Sequence, residues 1–431
     1  MIAPMSSGPK QQRGAAGPAG AAGAAERHED GSTALSVAPP RAAAGVAGRP
    51  GLMRALNERL LLEHIRSVGR ASRAELARTS GLSKPTVALA LSTLEHDGLV
   101  RPAGLRTGVR GPAAVLYEIC QDGAFVLGLD VGREYLRGAI ADIAGGVRAR
   151  ASRPASKASA RQRVAELLLL ADELAAEAGI TWRRVAQVVV GSPGVYDPAR
   201  GALAVAANFP GWESPKVLVD LQRMLGPATF IENDIDLAAL AERDMGHGRN
   251  VRSFCFVSVG TGIGMGLVIE GRLHRGAHGA AGEIAYLPLA EPEVVSATTA
   301  RRHGLLEAVA SAAAVVRAGR SGGLRRVASA RHVFAAAAAG DTAAGAVVAQ
   351  EARLIARAVS SVVAVVDPEL VVLGGGIGRA PGFAEAVSGE LGALVPFVPE
   401  VRVSALGQDA VVDGCLVLGL EMAWQRILDR T

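Results

Sequence analysis

The stretch from Ser258 to Tyr286 reads S-V-G-T-G-I-G-M-G-L-V-I-E-G-R-L-H-R-G-A-H-G-A-A-G-E-I-A-Y. An apolar run, Phe254 to Val259, leads into it, and a second apolar run leaves its first loop at residues 267–269. Glycine recurs at every second position between these runs, which predicts a β-hairpin whose tip has little side-chain bulk and many free backbone N–H groups. Such a tip can cradle a phosphate, although a simple tight turn has the same composition. The predicted phosphate-loop residues are Gly260, Thr261, Gly262 and Gly264.

The second half of this stretch carries a more specific pattern. Gly279, Gly282 and Glu283 follow the hairpin at a spacing that resembles the signature of the ROK family, which contains repressors and sugar kinases. The resemblance extends over most of the chain from about Phe125 onward. It implies an α/β fold, with an actin-like, ribonuclease-H-like domain of two lobes and a sugar-binding cleft between them.

Length and composition limit the class of protein. The 431 residues are enough for two or three domains, and 49% of them are hydrophobic, so the chain can bury sizeable cores. No apolar run reaches the ~18 residues of a membrane span, and the start lacks a signal-peptide pattern, so we expect a cytoplasmic protein without membrane contact. The cysteines, Cys120, Cys255 and Cys415, lie far apart in apolar surroundings, which favours buried side chains over metal or disulfide roles.

Composition and charge divide the chain into three segments. Residues 1–50 are dominated by Ala, Gly, Pro and Ser, which cannot bury enough apolar surface to offset ordering, so we predict a disordered tail. Residues 51–119 form a predicted basic domain, since 51–118 carry ten lysines and arginines against six acidic residues, a balance that suits contact with a polyanion. Residues 120–431 form the predicted two-lobed domain.

The basic domain shows the pattern of three short helices followed by a two-stranded wing. Apolar residues recur at helical spacing over 56–68. Ser72 and Glu75 form a predicted capping box for the second helix, and Ser83 caps a third that has a proline in its first turn. The runs R-A-E-L-A, G-L-S-K-P-T-V and D-G-L-V together resemble the winged helix-turn-helix of ROK repressors, which we assign as an all-α domain with a wing.

This resemblance implies binding to a double-stranded DNA operator. The start of a helix in the major groove contacts phosphates with its dipole and base edges with its side chains. Arginines on the wing are placed for contact with the DNA backbone or the minor groove. A three-helix module that binds another protein is the alternative. The predicted DNA-binding residues are Ser83, Lys84 and Thr86 on the helix and Arg101, Arg106 and Arg110 on the wing.

The first loop of the ROK-like segment departs from the kinase pattern. Three strands with glycine turns begin near Phe125, and the family's kinases carry D-x-G-G-T-K after the first of them. Here an arginine and a glutamate replace the second glycine and the threonine, in Asp130-Val131-Gly132-Arg133-Glu134-Tyr135. The carboxylate would face phosphate, and two like charges ~4 Å apart repel by about 4 kcal/mol at an effective dielectric of roughly 20. Because the G-R-E-Y form resembles the repressors of the family, we predict a protein that is not an enzyme.

The resemblance also implies a set of sugar contacts. A strand predicted at 229–232 runs into Glu232-Asn233-Asp234, and α/β folds place their chemistry at such strand ends. In the family's kinases this aspartate is the general base, whereas in the repressors it hydrogen-bonds the sugar. Turn formation and helix capping are alternative roles for these residues. The predicted sugar-binding residues are Gly194, Asn208, Asn233, Asp234, Glu283 and Glu307.

The zinc ligands of the family are replaced in this chain. The resemblance places Tyr286 where the family has a histidine, and Thr298, Ala300 and Leu305 where it has cysteines. A structural zinc site needs about four ligands, so we predict no metal site and no other cofactor. Apolar packing around Tyr286 and Leu305 is then expected to hold this region together.

The last third of the sequence predicts alanine-rich helices and one buried strand. The helices are predicted at 306–318, 332–339, 342–366 and 414–428. The strand, at 370–373, enters Gly374-Gly375-Gly376, which the resemblance places on the adenosine side of the cleft in ROK kinases.

Three functional hypotheses follow. The first is a transcriptional regulator of carbohydrate metabolism, of the xylose-repressor or N-acetylglucosamine-repressor type, which binds an operator as a homodimer or homotetramer and responds to a sugar or sugar-phosphate effector. The second is an ATP-dependent ROK sugar kinase with an added DNA-binding domain. The third is a repressor controlled by a protein partner instead of a sugar.

Overall fold

The computed structural model describes residues 50–106, 114–156, 159–197, 201–204, 209–226, 228–289 and 295–430. The predicted tail at 1–50 lies almost wholly outside these ranges, as does the tip of the wing, which includes Arg110. Asn208, a predicted sugar contact, is outside them as well.

The first domain consists of three helices and a small sheet, and we call it the head. Its elements are α1 (Pro50–Val68), β1 (Ala71–Ser72), α2 (Arg73–Ser80), α3 (Lys84–His96), β2 (Val100–Arg106) and β3 (Ala114–Ile119). The sheet order is β1-β3-β2, so the predicted two-stranded wing gains a third short strand. This happens because Ala71 and Ser72 pair with Tyr117 and Leu116 before the chain turns into α2.

Local capping sets the ends of the helices in the head. The Ser72 hydroxyl accepts a hydrogen bond from the Glu75 amide, and the Glu75 carboxylate accepts one from the Ser72 amide at 3.0 Å, which confirms the predicted capping box. Gly81 ends α2 with a φ of 71°, a conformation that favours glycine. Ser83 caps α3 by accepting from the Thr86 amide at 3.3 Å.

A first lobe follows, built on a five-stranded sheet of order β10-β7-β4-β5-β6. Its elements are β4 (Phe125–Val131), β5 (Tyr135–Asp142), β6 (Val147–Pro154), α4 (Ala160–Glu177), β7 (Val185–Ser192), β8 (Val195–Asp197), β9 (Ala202–Ala204), α5 (Pro215–Leu225), β10 (Thr229–Asn233) and α6 (Asp234–Met245). The three opening strands match the sequence prediction. Strands β4, β7 and β10 are parallel, so their carboxyl ends meet at one edge of the sheet.

The second lobe has a five-stranded sheet of order β13-β12-β11-β14-β15. Its elements are β11 (Phe254–Val259), β12 (Ile263–Ile269), β13 (Arg272–Leu273), α7 (Ala297–His303), α8 (Leu305–Ala310), α9 (Ala312–Ser321), α10 (Ala330–Ala338), α11 (Thr342–Val366), β14 (Leu370–Gly374), α12 (Gly375–Gly378), α13 (Phe383–Gly392) and β15 (Glu400–Val403). The last helix, α14 (Ala410–Arg430), returns to the first lobe and packs against α6 and β4. The predicted β-hairpin is β11–β12, whose strands pair antiparallel.

The helix predicted at 306–318 is two helices in the structure. Ser311 interrupts it with an extended backbone and separates α8 from α9. The interruption frees the Ala312 amide, which donates to the carbonyl of Gly260 at 2.7 Å. A hydrogen bond to the hairpin therefore replaces one hydrogen bond within the helix. Because the partner is about 50 residues away in the chain, the apolar periodicity of this segment does not reveal the break.

Helices α6 and α14 lie between the two sheets. A Cβ at Gly414 of α14 would lie 1.9 Å from the carbonyl oxygen of Leu237 in α6, and a Cβ at Gly266 of β12 would lie 2.7 Å from the carbonyl oxygen of Ile235. The two helices and the hairpin strand therefore approach so closely that only glycine fits at both crossings. This pair of helices links the lobes beneath the cleft.

The head rests on the first lobe. One apolar cluster runs from Leu61 and Ile65 of α1 to Val126 and Ala141 of the first sheet and to Trp424 of α14. Separate clusters fill the second lobe and the outer side of the first. In the described ranges no single helix is long and apolar enough to cross a bilayer, although α10 and α11, bent by 116° at their junction, meet that test as a pair.

Candidate functional site

A cleft of about 1440 Å³ lies between the lobes. The carboxyl ends of β4 and β10 supply one wall, and the tip of the β11–β12 hairpin supplies another. Residues 279–286 and α10 also contribute to its lining. The cleft brings together most of the residues that the sequence analysis singled out.

Asp234 is the first residue of α6 and stands on the cleft wall. The helix cap is its neighbour Asn233, whose Oδ1 accepts from the amides of Ile235 and Asp236 at 2.8 and 3.1 Å. The alternative that Asp234 serves as the helix N-cap is therefore wrong, because the N-cap position is one residue earlier in the chain. Burial raises the pKa of Asp234 to about 6, against hydrogen bonds from backbone amides that lower it.

Asn233 and Gly194 hold each other in the cleft wall. The Asn233 side-chain amide donates to the carbonyl of Gly194 at 3.1 Å, while its oxygen caps α6. Gly194 has a φ of 92°, which favours glycine. Both residues were predicted as sugar contacts; they line the cleft, and the side-chain groups of Asn233 are engaged in holding the loop to the helix.

Asp130 lies opposite Asp234, at the end of β4. It is buried, and its Oδ2 accepts from the Arg137 guanidinium at 3.3 Å. Burial, and after it the nearby negative charge of Asp234, raises its pKa to about 7, against the Arg137 guanidinium, which lowers it. Arg137 also donates to Gln408 at 2.9 Å, so this ion pair joins the first loop to the segment before α14.

Two further carboxyl groups complete the acidic side of the cleft. Burial raises the pKa of Glu283 to about 7, with repulsion from Asp234 and Glu307 adding to it. Burial also raises the pKa of Asp236 to about 8, and Glu232 adds to that effect. Among the described residues Oδ1 of Asp236 has no hydrogen-bond partner. The sequence analysis did not identify Asp236 as a cleft residue. Its place in the first turn of a helix that begins at the end of a strand could have indicated it.

Glu307 supports the glycine hairpin. Its Oε2 accepts from the Ile263 amide at 3.1 Å, and a Cβ at Gly262 would lie only 2.8 Å from the same oxygen. His303 Nδ1 lies 3.5 Å from the other carboxylate oxygen. Glu307 was predicted as a sugar contact; it lines the cleft and at the same time fixes the hairpin tip.

The glycine hairpin packs against the loop after β14. Gly260 donates to the Gly262 carbonyl at 3.0 Å and so closes the tip. A Cβ at Gly375, whose φ is 77°, would lie 2.4 Å from the Val259 carbonyl oxygen. The hairpin tip and the glycines at 375 and 376 thus lie side by side as glycine-rich backbone on the cleft wall, which has the properties of an anion-binding surface.

The altered first loop stands at the cleft margin. Arg133, Glu134 and Tyr135 are exposed and line the cleft, while a Cβ at Gly132 would lie 2.4 Å from the Tyr135 carbonyl oxygen. The loop is therefore a tight turn that presents a bulky arginine and a carboxylate at the margin of the cleft.

The segment expected to pack around Tyr286 and Leu305 is held differently. Tyr286 is 39% exposed and Leu305 is only half-buried, so that prediction is wrong. The buried side chains are their neighbours Ile284 and Leu306, because the short helical turn at 284–286 and α8 face the core with those positions. Within the described residues, no three His, Cys, Asp or Glu side chains are grouped as a metal site requires.

Of the predicted DNA-contacting residues, Arg110 lies outside the described ranges and the others lie at the start of α3 and on the wing. Ser83 and Lys84 are exposed at the start of α3, and Leu89 on the same helix is 57% exposed. Arg101 on the wing pairs with Glu118 at 3.0 Å, and Arg106 pairs with Glu75. The wing arginines are thus held by carboxylates of the head, which the sequence did not indicate.

Family models match both parts of the chain. The ROK family model matches residues 126–421, and a model described as winged helix-turn-helix DNA-binding matches residues 55–101. Together they cover the three helices of the head and both lobes.

Curated relatives include kinases and repressors. The chain is 35% identical over 206 residues to a glucokinase of Thermotoga maritima, which covers 45% of this chain and 64% of that protein. It is 25% identical over 240 residues to a xylose repressor of Caldicellulosiruptor bescii, which covers 56% of this chain and 60% of that protein. The chain thus spans less than two thirds of the length of these curated relatives.

Solved structures agree on the fold. A ROK hexokinase from Thermus thermophilus is 31% identical with a TM-score of 0.59 and covers 69% of this chain and 99% of its own. A ROK family transcriptional regulator, a homologue of the E. coli MLC protein, is 23% identical with a TM-score of 0.69 and covers 88% of this chain and 98% of its own. Since the family model spans more than half of the sequence and the two-lobed fold agrees with it, the chain belongs to the ROK family.

Proposed function

We propose that this protein is a DNA-binding transcriptional regulator of carbohydrate metabolism that acts as a repressor. A sugar or sugar phosphate bound between its lobes controls it. The observation that carries the proposal is the combination of a basic head with a cleft whose first loop presents Arg133 and Glu134. A relative named xylose repressor supports it.

The head supplies the means to bind an operator. With Ser83 and Lys84 at its N-terminus, α3 enters the major groove, where its dipole and exposed side chains meet phosphates and base edges. Arg101 and Arg106 reach the DNA backbone from the wing after exchanging their carboxylate partners for phosphates. Two heads in a homodimer or homotetramer bind two half-sites of a duplex.

The cleft supplies the means to sense a sugar. Asp234, Glu283 and Glu307 offer carboxylate oxygens to sugar hydroxyls, and each charge-assisted hydrogen bond contributes about 1.5–3 kcal/mol. A sugar that contacts both lobes binds the closed cleft more tightly than the open one. The shift in the equilibrium between the open and closed forms is set by the difference between these two affinities.

One experiment tests both halves. Duplexes that the protein binds are selected from a random library, and their dissociation constants are measured over a salt series with and without sugars that stabilise the protein in a thermal shift screen. We expect a steep salt dependence, with about −0.9 in the log–log slope for each phosphate contact. Lys84→Ala should reduce that slope by about 1. Failure to select any duplex would overturn the DNA-binding half, and absence of a stabilising sugar would overturn the sensing half.

A sugar kinase is the second candidate. The 35% identity to a protein named glucokinase supports it, as do Asp234 in the general-base position and the strip of glycine backbone facing the cleft. The loop at Arg133 and Glu134 opposes it. A coupled ATP assay with glucose, N-acetylglucosamine and xylose decides: turnover near or above about 1 s⁻¹, the low end for ordinary enzymes, would establish the kinase.

A further inference from the structure

The side of α3 that faces away from the core of the head has an apolar centre. The helix packs into the head with the buried residues Val87, Ala90, Leu91 and Leu94. With about 3.6 residues per turn, the opposite side carries the exposed residues Pro85, Leu89, Ser92 and His96. We call these four exposed residues the outer face of α3. Leu89 lies in its middle and is 57% exposed.

Helix α3 offers few hydrogen-bonding groups to a base pair. Its sequence, K-P-T-V-A-L-A-L-S-T-L-E-H, contains no Arg, Asn or Gln, which form paired hydrogen bonds with guanine or adenine. Of its hydroxyl groups, that of Thr86 lies 2.8 Å from Ser83 Oγ, and that of Thr93 donates to the carbonyl of Leu89 at 3.2 Å. Pro85 has no N–H group. The polar side chains that remain on α3 are short or lie at the two ends of the helix.

An apolar side chain on a helix in the major groove has one matching group on the bases. Thymine presents its C5 methyl group there, whereas the groove edges of the other bases present mainly polar groups. Packing Leu89 against that methyl group removes both from water and stabilises the complex in proportion to the apolar area buried. Single exposed leucines are ordinary on protein surfaces, and Leu169 on α4, which is 58% exposed, is one of them. Leu89 differs because the function proposed above inserts its face of the helix into the groove.

We propose that Leu89 reads a thymine methyl group in the major groove, so that a thymine opposite Leu89 is part of the sequence that the protein recognises. This inference rests on the DNA-binding function proposed above and names the base that the helix selects. Pro85 lies one turn before Leu89, about 6 Å away along the helix axis, and extends the apolar contact toward the start of the helix. Since successive base pairs are about 3.4 Å apart, the apolar part of the outer face covers roughly two or three base pairs.

Replacement of thymine by deoxyuridine tests the contact directly, because uracil lacks only the methyl group and keeps the same base pairing. In a duplex selected from the random library, each thymine is replaced singly, and the dissociation constant of the full chain is measured by fluorescence anisotropy. We expect a rise of roughly three- to fivefold at one thymine, or at two within about three base pairs, in each half-site, as for the loss of one buried methyl group. Replacement of the other thymines should change the dissociation constant by less than about 1.5-fold, because they bury no methyl group against α3.

The variant Leu89→Ala assigns the effect to the leucine. On the thymine duplex it should raise the dissociation constant roughly three- to tenfold. In this variant, uracil at the sensitive position should change the dissociation constant by less than about 1.5-fold, because the methyl group has already lost its partner. The matched control is Leu169→Ala, which removes the same side chain at nearly the same exposure from a helix of the first lobe. Its dissociation constant and its response to uracil should equal those of the wild type within about 1.5-fold.

Circular dichroism identifies a variant that fails to fold, and the uracil series with the wild-type chain then remains a complete test, since it needs no substitution in the protein. Failure to select any duplex would overturn the DNA-binding function and this inference with it. A specific duplex in which no uracil substitution weakens binding would overturn this inference alone. An effect of uracil that is as large in Leu89→Ala as in the wild type would also overturn it, because the methyl group would then contact another residue.

Discussion

The guanidinium of Arg66 lies 5.5 Å from the centre of the Trp424 ring, and Trp424 Nε1 donates to the carbonyl of Ile143 at 3.0 Å. Arg66 belongs to α1 of the head, Trp424 to α14, and Ile143 to the end of the first sheet. Residues at the other end of α14, Ala410 and Val411, line the cleft. One helix therefore contacts both the candidate sugar site and the DNA-binding head.

This relationship predicts a variant that binds both ligands without coupling them. Arg66→Ala should leave the sugar dissociation constant and the sugar-free operator affinity nearly unchanged, because Arg66 contacts neither ligand site. The effect of sugar on operator binding should shrink, since a contact of about 0.5–1 kcal/mol between head and α14 is lost. An operator gel shift titrated with sugar measures it, with Arg59→Ala on the same helix as the control. An unaltered response would assign Arg66 a purely structural role.

Asp234→Ala should weaken sugar binding by roughly ten- to a hundred-fold, because it removes charge-assisted hydrogen bonds from the centre of the cleft. The thermal midpoint without sugar should not fall, since the change also removes a buried carboxylate that repels Asp130 and Glu283. Calorimetric titration of the sugar and an operator gel shift measure the two effects, with Asp220→Ala, a half-buried aspartate of α5 that does not line the cleft, as the control. If both proteins answered the sugar equally, the cleft would not be the sensor and the protein-partner hypothesis would take precedence.

Glu118→Gln should strengthen DNA binding. Glu118 pairs with Arg70 at 2.9 Å and with Arg101 at 3.0 Å, and it places a negative charge on the wing. The neutral amide releases both arginines for phosphate contact, so operator affinity should rise several-fold at low salt. The log–log slope of affinity against salt should steepen by the amount expected for about one or two added phosphate contacts. Glu63→Gln, which breaks the pair with Arg59 on α1, is the matched control. A weaker complex would mean that Glu118 orders the wing for binding.

Glu351→Gln should stabilise the protein, and more so at pH 8 than at pH 5. Glu351 is buried in α11, its Oε1 has no partner among the described residues, and burial raises its pKa to about 9. A carboxyl with a raised folded-state pKa contributes stability below the unfolded value, and that stability is lost as the pH rises through the folded value, at most about 1.4 kcal/mol per pH unit. Chemical unfolding midpoints at the two pH values measure the difference. An equal shift at both would show that folding does not raise the pKa of Glu351.

Sequence alone determined the parts of this protein that depend on neighbours along the chain. The capping box of Ser72 and Glu75, the cap at Ser83 and the glycine-rich hairpin after Phe254 were all predictable, because they rest on hydrogen bonds and turns within a few residues. The family resemblance rested on the same local patterns, and it placed Asp130, Asp234 and Glu283 around one cleft.

Only the tertiary structure decided how distant residues meet. The break at Ser311 and the hydrogen bond from Asn233 to Gly194 join elements far apart in sequence, and the fold buries Oδ1 of Asp236 without a partner among the described residues. The same is true of the pairing of Arg101 with Glu118 and of the exposure of Phe397 on the second lobe. The physical reason is that periodicity in the sequence shows which face of a helix or strand is apolar, and capping residues show where a helix begins or ends. Burial, charge pairing and exposure depend on which other element the topology packs against that face.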